Sequence, residues 1–155
     1  MKKLNVLASG LLCFAALACS DDDSSSVPDN TNATAVFNNM KSGSWKITSF
    51  IEDGDDETAH FAGYNFSFNE NGVLKAVNGA TTLSGTWSVT DSNNSGDDDN
   101  SNSNDVDFNI MFTSPDDFTD LTDDWDVLER TGTVLKLVDI SGGNGGTDYL
   151  TFTKN

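Results

Sequence analysis

Between Gly43 and the last residue, apolar and polar side chains alternate in short runs. In GYNFSFNENG, Tyr64, Phe66 and Phe68 alternate with Asn65, Ser67 and Asn69, and Asn71-Gly72 follows as a turn. VLKAV (73–77) leads to a second turn at Asn78-Gly79. LSGTWSVT puts Leu83, Gly85, Trp87 and Val89 on one face, and VDFNIMFT puts Val106, Phe108, Ile110 and Phe112 together. SWKITSFI places Trp45, Ile47 and Ile51 on a common face; DWDVLER, VLKLVDI and YLTFT complete the series. A period of two with turn residues between the runs predicts about eight antiparallel strands in sequence order.

Two helical segments interrupt the strand pattern. Thr34 to Met40 places Val36, Phe37 and Met40 on one face and predicts a short plug against the domain. SPDDFTDL predicts a short helix between late strands. Its signals are Ser114 as N-cap, Pro115 at the first helical position, and Asp116 and Asp117 in the first turn. Phe118 and Leu121 are its apolar contacts, and Asp123 and Asp124 end it.

Eight strands with one apolar face each must hide that face. The expected fold class is all-β: an antiparallel up-and-down eight-stranded barrel, which leaves no open edge, with a two-sheet sandwich as the alternative. GSWKIT (43–48) and GTWSVT (85–90) repeat the motif Gly-x-Trp, in which glycine lets a strand bend over a bulky ring. With FNENG and the late Trp125-x-Val127…Leu135-x-Leu137 pattern, these motifs make the chain resemble the lipocalin-like domains of small lipoproteins of Gram-negative bacteria. The resemblance runs from about Val36 onward and implies the barrel. The chain is shorter than true lipocalins and lacks their C-terminal helix pattern, so no large ligand cavity is implied.

The first residues change the picture of location. Met1-Lys2-Lys3 is a basic start, and the mostly apolar Leu4–Ala18 is too short to span a bilayer of roughly 30 Å. Residues 1–18 thus read as a signal peptide, 19–33 as an acidic tether and 34–155 as the barrel domain. Cys13 would be lost with the leader and Cys19 would then lack a disulfide partner. Ala16-Leu17-Ala18-Cys19 resembles the lipobox of bacterial lipoproteins, which implies that Cys19 is lipidated; cleavage by ordinary signal peptidase is the competing reading. Ser20, Asp21, Asp22 and Asp23 resemble the signal that exports some such lipoproteins to the cell surface, with a polar spacer as the alternative. An outer-membrane, outward-facing protein is the expectation.

Charge and chemistry narrow the function classes. Twenty-five acids against eight bases give a net charge of −17, which argues against nucleic acid and against adhesion to anionic lipid. His60 is the only histidine and no nucleophile motif accompanies it, so no enzyme is expected. No metal or cofactor is expected: Asp97, Asp99 and Asp105 offer calcium oxygen ligands, but their loop does not match an EF-hand and reads first as a solvated loop. Trp45, Phe66, Trp87, Phe108, Phe112 and Phe152 are expected to face inward. They either fill the barrel, which eight strands leave just wide enough for side chains, or line a pocket for a small apolar ligand. The resulting expectation is a monomeric, lipid-anchored, lipocalin-like protein binding a small apolar ligand or a surface partner; the alternative is a structural or glycan-capturing module with a filled barrel.

Overall fold

The computed structural model describes residues 32–91, 106–140 and 146–155. In chain order the elements are α1 (Ala33–Met40), β1 (Trp45–Glu52), β2 (Asp55–Asp56), a 3-10 turn (Thr58–Phe61), β3 (Asn65–Phe68) and β4 (Val73–Asn78). They continue with β5 (Thr81–Asp91), β6 (Val106–Met111), α2 (Asp116–Thr119), β7 (Asp123–Arg130), β8 (Val134–Ile140) and β9 (Thr147–Lys154). Every pairing is antiparallel; β1 pairs with β2 and β3, β3 to β9 pair in chain order, and β1 pairs with β9 from Trp45↔Lys154 to Ile51↔Tyr149. That pairing closes eight strands into a barrel rather than a sandwich. The two-residue β2 is a ninth strand folded back on the end of β1.

The alternation read from the sequence holds in β3 to β6, where Phe66, Phe68, Leu74, Ala76, Trp87, Phe108 and Ile110 are buried. It fails at bulges in β1 and in β7, where the shift falls between Val127 and Glu129. A bulge between Ile47 and Ser49 shifts the register, so Phe50 enters the core and Ile51 turns outward. The expectation that Ile51 shares a face with Trp45 and Ile47 is therefore corrected. The DGDDE segment is a hairpin: Asp53 and Gly54 both have positive φ, the geometry a tight two-residue turn demands.

The second helix also differs from expectation. Pro115, not Ser114, occupies the N-cap position, without a side-chain cap bond, and the helix has a single turn. Asp123 and Asp124 open β7 instead of ending the helix, because Asp123 already pairs with Ile110. Phe118 and Leu121 are buried as expected.

The two ends of the barrel are closed by different segments. At one end α1, N-capped by the Asn32 side chain, buries Val36 and Met40 and stacks Phe37 on Trp87, with ring centroids 4.9 Å apart. At the other end the 3-10 turn and α2 bring Phe61 and Phe118 together at 5.3 Å. All three tryptophans bind backbone carbonyls between strands, two of them in or next to the closing helices. Trp45 Nε1 donates to Met40 O at 3.0 Å, Trp87 Nε1 to Asn69 O at 2.9 Å and Trp125 Nε1 to Leu121 O at 3.1 Å. Each indole thus buries its rings in the barrel and satisfies its N–H on the backbone that covers it. At Gly85 a Cβ would collide with the Met111 carbonyl oxygen and the Phe112 ring, so glycine there permits their close approach.

Two threonines repair the ladder where strands part. β1 meets β3 only at Trp45↔Phe66, and farther along the Phe50 N–H donates to Thr58 Oγ1 at 2.8 Å. The Phe112 N–H likewise donates to Thr122 Oγ1 at 2.9 Å, and that hydroxyl donates to Phe112 O at 3.0 Å. One hydroxyl, acting as both donor and acceptor, stands in for a missing strand. Thr122→Val keeps the shape and removes both bonds. It should lower unfolding stability by about 1–3 kcal/mol, read as a lower midpoint in urea; an unchanged midpoint would show that the hydroxyl is not needed.

Candidate functional site

The six aromatic residues singled out from the sequence are all at most 3 % exposed. Phe66, Phe108 and Phe152 meet in the centre of the barrel together with Phe68. Phe152 of β9 lies 5.6 Å from Phe66, 5.4 Å from Phe68 and 6.4 Å from Phe108. Phe68 of β3 also contacts Phe108 of β6 at 5.6 Å and Trp87 at 5.2 Å. Rings from three well-separated strands are thus in mutual edge contact, at the separations aromatic pairs prefer. Phe112 joins the cluster through Phe118 at 5.1 Å. Trp45 stands apart at the α1 end, with Lys154 Nζ 5.4 Å from its ring. Of the two expectations for these residues, filling describes the arrangement: the middle of the barrel is occupied by its own side chains.

The sequence pattern did not single out Phe50, Phe61 and Phe118 as part of this interior. Phe50 is hidden by the bulge and Phe61 lies in a turn with no periodic signal. Phe118 was legible as the apolar side of a helix, but not as the ring that bridges Phe61, Tyr64, Phe66 and Phe112.

Carboxylates gather at the end closed by α2. Glu52, Asp123, Asp139 and Asp148 each lie two residues beyond a buried inward residue, namely Phe50, Trp125, Leu137 and Leu150, so alternation carries them to the inner side of the rim. Asp139 and Asp148 are direct partners across β8 and β9. Partial burial pushes the Glu52 carboxyl above its ordinary range, and Asp120, Asp148, Asp53 and Glu57 push it further. Asp123 is raised chiefly by burial, with Asp139 and Asp124 adding to it. The Asp53 N–H donates to Asp148 Oδ1 at 2.7 Å, which ties the β1–β2 turn to β9.

Among the described residues no three acidic, His or Cys side chains are placed to hold an ion. The calcium candidates Asp97, Asp99 and Asp105 lie outside the described residues, as do Cys19, Ser20, Asp21, Asp22 and Asp23. His60 sits at the surface, its Nδ1 3.3 Å from Glu57 and 3.7 Å from Asp117, where it links the 3-10 turn to α2. An open groove of about 560 Å³ runs along β5 to β7, lined by Thr86, Ser88, Asn109, Met111 and Asp124 and reaching the inward Trp87, Ile110 and Asp123. No described helix is long and apolar enough to cross a membrane.

The barrel can be set beside known proteins. No family model matches the sequence, and no curated protein matches it. Among solved structures, the chain is similar to a DUF4847 family protein from Bacteroides vulgatus, at 18 % identity and a TM-score of 0.49, over 77 % of this chain and 97 % of that one. No site or function is carried over from it.

The rim has a measurable consequence. The raised folded-state value of Glu52 means that its carboxyl favours folding at pH below the ordinary glutamate range. That contribution is lost as the pH rises through the raised value. Glu52→Gln should therefore melt at a higher temperature than the wild type at pH 7, with the advantage shrinking toward about pH 4. An advantage that grows in acid would contradict the crowded-carboxylate account.

Proposed function

We propose that this chain is a non-enzymatic cell-envelope protein, anchored to the outer membrane through a lipid on Cys19, whose filled barrel acts through its outer surface. The observation that carries the reading is the contact of Phe68, Phe108 and Phe152 across the barrel axis. A ligand pocket typically needs several hundred Å³ of concave space, and the rings occupy the space where a lipocalin-type ligand would sit. The acidic surface supports the same reading, since it keeps the molecule soluble and discourages self-association.

Two experiments test the two halves of this reading. Titration with a fluorescent fatty acid should give no saturable signal at micromolar concentration; a saturable site within that range would favour an internal ligand instead. In a Gram-negative host fed labelled palmitate, the wild type should carry label and Cys19→Ala should carry none. Label on the substituted protein would remove the anchor from the account.

A further inference from the structure

We infer that the groove along β5, β6 and β7 binds a neutral, polyhydroxylated ligand, a segment of glycan chain. This inference rests on the reading that the barrel works through its exterior, and it names the site and the class of ligand. Strand register places the groups. Ser88 pairs with Asn109, and Asn109 pairs with Asp124, so a hydroxyl, an amide and a carboxylate stand in one row across three neighbouring strands. Thr86 pairs with Met111 in the next row of the same face. All five alternate with the buried Trp87, Ile110 and Trp125, and so face away from the core. The row of three spans roughly 10 Å, twice the strand spacing. The groove's volume of about 560 Å³ is that of an ordinary small-ligand site.

The outward polar groups beyond the groove satisfy one another. Thr90 Oγ1 donates to Asp107 Oδ2 at 3.3 Å, and Asn109 Nδ2 donates to Thr90 Oγ1 at 3.2 Å. Within the groove that pattern stops. Thr86 and Ser88 are exposed, and their hydroxyls have no hydrogen-bond partner among the described residues. Asp124 is exposed as well. Its carboxyl lies beside that of Asp123, which burial pushes up and Asp124 pushes further. Two carboxyls in that position gain from a neutral donor that relieves them both.

The donor and acceptor set selects the ligand. No Lys, Arg or His lines the groove among the described residues, and the two aspartates repel an anion. A cation would use the carboxyls but leave the hydroxyl and amide donors idle. A hydroxyl group donates and accepts at once, so a chain of sugar hydroxyls can serve Thr86, Ser88, Asn109 and Asp124 together. Met111, 54 % exposed among these polar groups, offers an apolar contact for the C–H face of a sugar ring. Trp87, the ring that the groove reaches, is only 3 % exposed, so hydrogen bonds rather than ring stacking supply the hold. Each such bond replaces one to water, and the expected Kd is about 1 mM.

Backbone-amide NMR of the full chain reads where so weak a ligand sits. The probes are soluble neutral oligomers of glucose, mannose, galactose and xylose, each titrated to about 20 mM, well above the expected Kd. At least one should shift the amides of Ser88, Asn109, Met111 and Asp124 saturably. Asp124→Ala should weaken that binding about tenfold. Ser88→Trp, which fills the groove from an exposed position, should abolish it, and unchanged amides elsewhere would confirm that both variants fold. The inference is overturned if no oligomer moves these amides, if the shifts fall elsewhere, or if Ser88→Trp binds as the wild type does. Pentalysine that binds these amides more tightly than every sugar would overturn it too, by making the groove a cation site. A saturable fatty-acid site would sink the filled barrel without moving the groove amides, so the two failures are distinct.

Discussion

The narrow interior of an eight-stranded barrel is the constraint from which the rest of this structure follows. Eight strands enclose a space that side chains can just fill, and here Phe68, Phe108 and Phe152 reach one another across it. Once those rings meet, the walls cannot carry more bulk without distortion, which accounts for glycine at position 85, where the Met111 backbone and the Phe112 ring come close. The ends must then be sealed, because a ring-filled centre open to water would forfeit its burial. Helix α1 seals one end and the 3-10 turn with α2 the other; the Trp45 indole binds the end of α1, that of Trp125 the residue Leu121 just after α2, and that of Trp87 the β3–β4 turn.

Closure also creates local conflicts, and the chain resolves them with different chemistry at different places. Where β1 leaves β3, and where β6 runs into the α2 segment, an inward phenylalanine would lose its backbone partners. Thr58 and Thr122 supply them from a side chain. At the rim, alternation brings carboxylates from β1, β7, β8 and β9 toward the same opening, and there burial and neighbouring acids push the Glu52 and Asp123 carboxyls up.

Much of this was legible in the sequence where the period of two is uninterrupted. Phe66, Phe108 and Trp87 could be placed inside because their strands alternate without a break. Phe50 could not, because a bulge leaves no signature in residue type and changes the parity of everything after it. The Asp53-Gly54 hairpin was legible in principle, since Asp-Gly is a strong turn signal, but the run of acids around it resembles a solvated or cation-binding loop. The rim acids were illegible for a related reason: an aspartate at a strand end looks solvated until the register shows which way it faces. The closing pair of Ile51 with Tyr149 joins β1 to β9, strands distant in sequence, so no local pattern reveals it.

A filled interior moves the search for function to the outside of the barrel, which is why its packing decides the account. Crystals of the protein equilibrated under xenon pressure test that packing directly, since xenon enters apolar cavities that water leaves empty. The account predicts no ordered xenon among Phe66, Phe68, Phe108 and Phe152. A well-occupied xenon site inside that ring would contradict it and restore an internal ligand site.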